Sequence, residues 1–595
     1  MTEATKIFNH KLERTLPGIN YQVAMTQPEN HLFKVTLRVQ NWNSQELNLK
    51  MPVWTPGSYL VREYSKHIQN FSAHNHEGKP LVWHKLSKNH WQIQTKDITE
   101  ITVQYRVFAN ELTVRTNHLD ANHAYFNGAA LFFYIPEFPD VAYQVKILTP
   151  SPSWRVTTAL PSTGKTNTFY ADDFDTLVDS PFEIGYQDVY KFEVLGKNHE
   201  LVIWGKGNIE PKRVIDDLQK IIQVEAEIFG GLPYDRYIFI LHLAPQGAGG
   251  LEHKNCCTLN YNRLGFRAKD SYERFMQLAA HEFFHLWNVK RIRPKALEKF
   301  DYEGENYTTS LWFCEGTTSY YDLMIPLRSG IYDAKTFLNN LSKEITRLQT
   351  TPGRFIQPVS ESSWDAWIKL YRPDANSSNS QISYYLKGEM VSLLLDLLIR
   401  SHHNNKRSLD NVMAILWEQF GKPEIGFTPT DLQHIIESVA GMDLSDFFQR
   451  FIDGTEELPF NEYLEPFGLQ VQAEDQKECV PYLGITVKTE NGRESIKIVE
   501  INSPAQIAGI DPGDELLAID GIRVTADRLN DRLKDYQVGD SIEISVFHQD
   551  ELRTYRVTLE TPVPKSYKVV PILQPTDTQK QNLMGWLGSS LSNSV

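Results

Sequence analysis

Apolar and polar residues alternate along the chain up to about residue 205. The period of two recurs in short runs, including Phe33 to Val39, Leu47 to Met51 and Ile101 to Val107. Such alternation is typical of strands with one buried face, and turn-forming residues separate the runs. We therefore predict an N-terminal antiparallel β-sandwich over residues 1–205, which supports or walls a functional site elsewhere.

The spacing of apolar residues becomes helical beyond this region. Pro211 stands in the first turn of a predicted helix that ends at Gly230-Gly231, and the apolar run 237–243 predicts a strand. Apolar residues at helical spacing, such as Leu393, Leu394, Leu397 and Leu398, continue to about residue 456. Residues 206–466 are therefore expected to form an α+β domain with a helical subdomain.

The composition changes again near Leu469. A β-branched run around Ile496 to Ile501 predicts a strand, Ser503 to Ile510 predicts a short helix, and an Asp-Gly pair at Gly521 predicts a tight turn. These residues resemble a PDZ domain, which we assign to residues 467–562. Its carboxylate-binding loop is expected at four consecutive residues, Tyr482, Leu483, Gly484 and Ile485.

The last segment, residues 563–595, contains prolines and polar residues and is expected to be a strap or disordered. The chain ends in the apolar Val595, which suggests that the tail itself could occupy the PDZ carboxylate loop and regulate access.

Charge and composition narrow the class of protein. The chain has 60 basic and 74 acidic residues and a net charge of −14, which argues against a nucleic-acid-binding protein. It has no apolar run long enough to cross a membrane, and its first residues do not resemble a signal peptide. We therefore expect a cytoplasmic protein that contacts neither nucleic acid nor membrane.

Cysteines are sparse, and we interpret them as small core residues of a protein in a reducing compartment. The four are Cys256, Cys257, Cys314 and Cys479.

Candidate chemistry centres on the pattern His281-Glu282-x-x-His285. On a helix, residues four apart lie on the same face, so both imidazoles can reach one metal ion while the glutamate lies beside it. This arrangement suits zinc, a metal-activated water and a carboxylate base. The pattern alone is weak, because an amphipathic helix can carry it by chance.

Basic residues follow this pattern at Lys290, Arg291 and Arg293. We expect them to complement the negative end of a helix that continues to about residue 293, in preference to contacting substrate.

Two further segments could complete the site. A catalytic zinc ion needs a third protein ligand, and Glu315 is the candidate because the apolar residues before it disfavour an exposed position. An oxyanion donor is also needed, and Ser383-Tyr384-Tyr385 offers a phenol. Glu252 follows a glycine-rich turn from which its carboxylate could face a cleft.

A second group of potential ligands, His118, Asp120 and His123, lies in a loop-like stretch. We interpret these three as surface residues, because their spacing matches no specific metal motif.

The segment His281 to Pro294, the segment Leu311 to Gly316 and the C-terminal PDZ domain together resemble the glycyl aminopeptidase family of gluzincin metallopeptidases. The resemblance implies a thermolysin-like catalytic domain, zinc, and removal of N-terminal glycine or other small residues from peptides. It implies His281, His285 and Glu315 as zinc ligands and Glu282 as the general base.

The same resemblance implies a role for Glu252 and Tyr385. Gly249-Gly-Leu-Glu-His253 is similar to the motif whose glutamate holds the substrate's amino group, with departures at Leu251 and His253. Tyr385-Leu-Lys-Gly388 is similar to the motif whose tyrosine meets the oxyanion, with one substitution. Tyr384 is the alternative phenol.

Two other functions stay open from the sequence. The first is a zinc endopeptidase that recruits extended chains through its PDZ domain. The second is a PDZ scaffold without catalysis, which the complete set of His281, Glu282, His285 and Glu315 disfavours. The sequence does not indicate the oligomeric state.

Overall fold

The computed structural model describes residues 16–474 and 480–589. Cys479 and Val595, for which the sequence makes predictions, lie outside these ranges. Cys256, Cys257 and Cys314 are buried and free, as expected of core residues. In the described part of the chain, no helix has the length and apolarity needed to cross a bilayer.

The N-terminal domain is rich in β-structure. The three predicted runs lie in its second, third and seventh strands. The elements are β1 (Gly18–Ala24), β2 (Leu32–Gln40), β3 (Glu46–Lys50), β4 (Ile68–Asn75), β5 (Trp83–Ser87), β6 (His90–Gln94), β7 (Ile101–Phe108), β8 (His118–Leu119), β9 (His123–Phe126), β10 (Tyr143–Leu148), β11 (Arg155–Thr157), β12 (Thr168–Ala171), α1 (Phe174–Val178) and β13 (Phe182–Gly185).

Three sheets enclose the core of this domain. The largest has the order β12-β10-β1-β2-β7-β4, and the others have the orders β3-β6-β5 and β11-β13-β9-β8. The inward residues of β2 and β7, such as Val35 and Val103, are fully buried. One pair, β1 with β10, is parallel, which differs from the expected antiparallel pattern. The long connection between these two strands permits the parallel pairing.

The second domain begins with a mixed five-stranded sheet of order β14-β15-β16-β18-β17. Its strands are β14 (Asp188–Val194), β15 (Lys197–Trp204), β16 (Arg236–Ala244), β17 (Gly249–Glu252) and β18 (Cys256–Asn262). Because β15 pairs in parallel with β16, the boundary expected at residue 205 falls inside this sheet. The alternation of β14 and β15 made them indistinguishable from the preceding sandwich strands.

Helices complete the second domain. They are α2 (Pro211–Phe229), α3 (Lys269–Phe284), α4 (Thr318–Arg328), α5 (Ala334–Gln349), α6 (Val359–Trp364), α7 (Ser377–Ser380), α8 (Tyr384–His402), α9 (Leu409–Leu416), α10 (Pro429–Ala440), α11 (Ser445–Phe451) and α12 (Phe460–Leu464). As predicted, α2 has proline in its first turn and ends at Gly230, whose φ of 75° favours glycine.

The predicted extension of α3 to residue 293 is wrong, because the helix ends at Phe284. Lys290 instead lies 2.6 Å from Asp179 in a nearly buried ion pair. Arg291 donates to the backbone oxygens of Lys254 and Leu286. These cations therefore hold the chain beyond the helix, and do not complement its dipole as expected.

The PDZ region forms a separate β-rich unit with its own core. Strand β19 (Leu469–Ala473) precedes this unit and packs on the core of the helical subdomain. The elements of the unit are β20 (Ile485–Glu490), β21 (Arg493–Val499), α13 (Pro504–Ala508), β22 (Glu515–Ile519), β23 (Ile522–Arg523), α14 (Leu529–Leu533), β24 (Ser541–His548) and β25 (Glu551–Thr558). The sheet order is β20-β21-β22-β24-β25, which leaves β20 at an edge.

The segment after the PDZ region returns to the helical subdomain as a strap. Strand β26 (Tyr567–Pro571) pairs with β19, and its Val569 N–H donates to Ser342 on α5. Helix α15 (Asp577–Leu587) follows. Its Trp586 is buried against Phe337 and Phe467, and the indole N–H donates to the Tyr320 hydroxyl at 3.2 Å.

We predict that Trp586→Ala lowers the free energy of unfolding of the helical subdomain by about 3–5 kcal/mol, because it leaves a cavity and removes a buried hydrogen bond. Chemical denaturation followed by tryptophan fluorescence measures this change. The matched control is Trp364→Ala, which removes a 45% exposed indole and is expected to change stability little. Equal stability of the two variants would contradict the role of the strap.

Candidate active site

The two histidines stand at the end of α3. His281 lies in the last turn and His285 is the C-cap, and their ring centroids are 4.6 Å apart. Glu315 approaches from a π-helical turn, Trp312–Thr317. Its Oε2 lies 3.6 Å from His281 Nε2 and 3.2 Å from His285 Nε2. One carboxylate oxygen therefore faces both imidazoles.

The remaining ring nitrogens determine what this group can bind. His281 Nδ1 lies 2.9 Å from Asp322 Oδ2, and His285 Nδ1 lies 2.6 Å from the backbone oxygen of Asn288. Both acceptors favour a proton on Nδ1, which leaves each Nε2 with a free lone pair. Two imidazoles and a carboxylate are donors that zinc prefers, so the set fits a metal ion of this type.

Asn288 connects the two halves of this site. Its Nδ2 lies 3.1 Å from the Phe313 oxygen, 3.2 Å from the Cys314 oxygen and 3.2 Å from Thr318 Oγ1. The turn after α3 is thereby held against the π-helical turn that carries Glu315. Turns of π-helix are rare in proteins, and many of those that occur lie at functional sites.

A close contact between two glycines positions the next element. A β-carbon added to Gly316 would lie 2.5 Å from the α-carbon of Gly388. This packing brings the Glu315 turn against α8, whose first turn carries Tyr384 and Tyr385. Larger residues at either glycine would separate Glu315 from the tyrosines.

Tyr385 is the phenol on the histidine side of this helix. Its ring centroid lies 6.4 Å from that of His281. Tyr384 stacks behind it at 4.7 Å and is fully buried. Both hydroxyls contact Tyr371, at 3.2 Å from Tyr385 and 3.4 Å from Tyr384. The geometry therefore favours Tyr385 over Tyr384 as the donor facing the candidate metal site.

Glu282 and Glu252 lie together beside the histidines. Glu252, Glu282 and His285 bring ligand atoms within 4.8 Å of one another. A β-carbon on Gly250 would lie 2.1 Å from the Glu282 carboxyl carbon, so strand β17 passes directly over this glutamate. Burial raises the pKa of Glu282 above its ordinary value.

Glu252 is only 4% exposed, and its Oε1 has no hydrogen-bond partner among the described residues. The two residues that differ from the expected motif have surroundings of their own. Leu251 is buried, and His253 Nδ1 lies 3.2 Å from Asp179 Oδ1. A buried carboxylate oxygen without a partner is energetically costly, and a cationic group of a ligand would relieve that cost.

The N-terminal domain closes one side of the cleft. Gly57 has a φ of 86°, and a β-carbon there would lie 2.4 Å from Glu252 Oε1. Trp54 packs edge-on against Trp367 at 5.1 Å. Arg115 donates to the Gly250 oxygen at 3.3 Å. The domain therefore forms a wall around Glu252.

Four residues of this site were missed by sequence reasoning. They are Arg115, Asn288, Asp322 and Tyr371. Asp322 follows Glu315 on the same continuous helical segment, a signal that could have identified it as a partner of His281. Arg115 and Tyr371 lie in irregular segments, and no local motif marks either of them.

The predicted PDZ carboxylate loop forms the entry to edge strand β20. Gly484 has a φ of 83°, and a β-carbon there would collide with Ser503 at 2.1 Å. The Gly484 oxygen accepts a hydrogen bond from Glu500 N–H at 2.9 Å, and the Tyr482 hydroxyl donates to the Glu500 carboxylate at 2.8 Å. Leu483 is buried and Ile485 begins the strand.

His123 was wrongly interpreted as a surface residue. It is fully buried, and its Nε2 lies 2.7 Å from Glu183 Oε1. His242, on β16, lies 2.9 Å from Glu183 Oε2. His118 and Asp120 pair with each other at 3.2 Å and remain partly accessible. Glu183 lies far from His123 in the sequence, so the local sequence did not indicate this contact.

Comparisons with known proteins agree with this architecture. Family models match for the Peptidase M61 N-terminal domain over residues 20–186, M61 glycyl aminopeptidase over residues 274–391 and a PDZ domain over residues 481–559. No curated protein matches the chain.

Solved structures also match. A crystal structure of an aminopeptidase N family protein from Idiomarina loihiensis is 33% identical, with a TM-score of 0.90, and the match covers 96% of this chain and 100% of that chain. A crystal structure of an M1 zinc metallopeptidase from Deinococcus radiodurans is 13% identical, with a TM-score of 0.47, over 74% of this chain and 94% of that chain.

The protein is a metallopeptidase with an N-terminal β-rich domain, a catalytic region and a C-terminal PDZ domain. More narrowly, the chain belongs to the M61 glycyl aminopeptidase family. The family resemblance identified from the sequence is thereby confirmed.

Glu183 provides a test of the buried His123 and His242 cluster. Burial raises the pKa of Glu183, but its interactions with the two histidines outweigh this effect and hold the pKa at about 2, below the ordinary 4.5. The carboxylate therefore stabilises the fold fully above about pH 4.5, and this contribution is lost as the pH falls toward 2.

We predict that Glu183→Gln lowers the free energy of unfolding by about 3 kcal/mol at neutral pH. Thermal melts should give a difference from wild type that is constant from pH 7 to about pH 5 and narrows as the pH falls from about 4.5 toward 2. The exposed Glu193→Gln is the control. A difference that does not change with pH would contradict a stabilising carboxylate.

Proposed function

We propose that this protein is a zinc-dependent aminopeptidase that removes N-terminal residues, preferably glycine or another small residue, from peptides. The proposal is carried by the position of Glu252, a nearly buried residue whose Oε1 has no hydrogen-bond partner among the described residues, beside Glu282 and His285. An endopeptidase has no need for an unpaired carboxylate at this point, whereas an exopeptidase needs one to pair with the substrate ammonium group.

His281, His285 and Glu315 would hold the zinc ion. When bound, Zn²⁺ supplies Lewis acidity for hydrolysis of the peptide bond. The orientation of the two imidazoles by Asp322 and Asn288 supports this role, because partners of this kind fix the tautomer of a ligating histidine.

Glu282 would act as general base and then as general acid, taking a proton from water and passing it to the leaving amine. Its raised pKa is compatible with moving a proton near neutral pH. The Tyr385 hydroxyl would donate to the oxygen of the scissile carbonyl as negative charge develops there.

The wall beside Glu252 supports a preference for a small N-terminal residue. The Gly57 backbone lies so close to Glu252 that a β-carbon at Gly57 would be 2.4 Å from Oε1, and the Trp54 ring of the same domain packs against Trp367. A substrate whose ammonium group pairs with Glu252 would meet this wall with its first side chain. Glycine would fit with the least displacement.

The PDZ domain would bind the C-terminal carboxylate of a peptide ligand at residues 482–485. The left-handed backbone at Gly484 and the free edge of β20 support this proposal, since a bound peptide adds a strand beside such a loop. Cytoplasmic location stays a prediction from the sequence.

We predict that Glu282→Gln retains zinc and loses hydrolysis, with kcat falling about 10²–10⁴-fold, because the amide cannot accept the proton. Metal analysis of the purified protein and turnover of glycyl-anilide measure the two properties separately. Glu273→Gln, on the same helix, is the control. Hydrolysis at the wild-type rate would exclude Glu282 as the base.

We predict that Glu252→Ala lowers kcat/KM on glycyl-anilide by about 10²-fold, because the ammonium group loses its charged partner. Hydrolysis of an internally quenched peptide blocked at both ends should change far less. An equal loss of hydrolysis on both substrates would contradict the aminopeptidase proposal and favour an endopeptidase.

A further inference from the structure

Tyr371 lies at the active site without belonging to any of the motifs that define it. Its hydroxyl is 3.2 Å from the Tyr385 hydroxyl, and it accepts a hydrogen bond from Tyr384 at 3.4 Å. A phenol has one proton to donate. With the Tyr384 proton directed to Tyr371, the Tyr371 proton is free to point to the Tyr385 oxygen.

This order of donors leaves the Tyr385 proton for the substrate. Tyr384 donates to Tyr371, Tyr371 donates to Tyr385, and Tyr385 donates toward the carbonyl oxygen. Hydrogen bonds in such a chain polarise one another, so each upstream donor strengthens the last. Tyr371 also fixes where the Tyr385 hydroxyl lies, although it does not itself touch the reacting atoms.

The segment that carries Tyr371 is attached to the PDZ domain. It continues into α7, where Asn379 is 4% exposed. Asn379 Nδ2 donates to the Val499 oxygen at 2.9 Å, and Asn379 Oδ1 accepts from Ile501 N–H at 3.0 Å. One side chain therefore clamps the backbone at the end of β21 through two hydrogen bonds.

The clamped backbone borders the PDZ carboxylate loop. Glu500 lies between the two clamped residues, and its N–H donates to the Gly484 oxygen at 2.9 Å. Its carboxylate accepts from the Tyr482 hydroxyl at 2.8 Å. Hydrogen bonds thus connect the loop to Asn379, and the chain itself connects Asn379 to Tyr371.

We propose that Tyr371 is a positioning residue for Tyr385, and that the PDZ domain holds it in place through Asn379. The inference rests on the proposed function in taking Tyr385 as the oxyanion donor. It assigns to the PDZ domain a direct part in the geometry of the active site, in addition to binding peptide ends.

The first test compares Tyr371→Phe with wild type on glycyl-anilide. We expect kcat to fall roughly tenfold to hundredfold, with KM within twofold and metal content unchanged, because the phenol acts on the donor and not on substrate binding. Tyr261→Phe is the matched control, since it removes a buried phenol whose hydroxyl bonds to the backbone oxygen and the side-chain hydroxyl of Ser271. A kcat within twofold of wild type for Tyr371→Phe would overturn the assignment.

The second test asks whether Asn379 acts through Tyr371. We expect Asn379→Ala to lower kcat about fivefold, and the double variant with Tyr371→Phe to be no slower than Tyr371→Phe alone. Effects that multiply in the double variant would overturn the connection between the two residues.

Asn461→Ala provides a control of the same chemistry. Asn461 also clamps a backbone through both its amide atoms, at Val471 on β19, a strand that pairs with β26 and lies outside the PDZ sheet. We expect its kcat to equal that of wild type. A loss equal to that of Asn379→Ala would show that any loosened attachment slows the enzyme, and would overturn the specific role of Asn379.

These experiments distinguish a failure of the Tyr371 inference from a failure of the proposed aminopeptidase function. If wild type cleaves glycyl-anilide and the variants do not differ from it, only the present inference fails. If wild type cleaves end-blocked peptides instead, the aminopeptidase proposal fails, and the same kcat comparisons on that substrate still decide the role of Tyr371.

Discussion

The arrangement of the catalytic region depends on bringing one buried carboxylate, that of Glu315, to two imidazoles. A carboxylate that is 2% exposed is costly unless it is fully partnered. The chain meets this requirement by holding a π-helical turn against the end of α3 through Asn288. Because Gly316 also contacts Gly388, the same constraint places the first turn of α8, with its two tyrosines, against the turn that carries Glu315.

The N-terminal domain and the PDZ domain also hold elements of the catalytic region in place. From one side, Gly57 approaches Glu252 so closely that only a glycine fits, and Arg115 holds the strand above Glu282. From the other side, Asn379 fastens the PDZ backbone next to the segment of Tyr371. The strap formed by β26 and α15 returns the chain after the PDZ region to α5, so the PDZ domain is attached at both of its ends.

The sequence predicted those parts of the site that depend on local spacing. His281, Glu282 and His285 follow from helical periodicity, and Glu315 follows from a carboxylate preceded by apolar residues. The end of α3 was misjudged because apolar residues continue past Phe284, although the chain there turns to form contacts with Asp179 and Lys254. Such turns are decided by tertiary partners, which no local pattern contains.

The predicted domain boundary near residue 205 also depends on tertiary contacts that the local sequence does not contain. Strands β14 and β15 alternate like those of the preceding sandwich, and only their pairing with β16 assigns them to the second domain. Arg115 and Tyr371 were missed for a related reason. Each reaches the site from an irregular segment, where position is determined by packing and not by a repeating pattern.

Two clusters of the same composition, two histidines and one glutamate, differ in how their nitrogen and oxygen atoms are arranged. At His281 and His285 both Nδ1 atoms have acceptors, and both Nε2 atoms face a single oxygen. At His123 and His242 neither Nδ1 has a partner among the described residues, and each Nε2 contacts a different oxygen of Glu183 at hydrogen-bond distance. The first set leaves lone pairs directed at one point, as a metal ion requires. In the second set each Nε2 lies within hydrogen-bond distance of its own oxygen of Glu183, and these contacts join the N-terminal domain to the catalytic sheet.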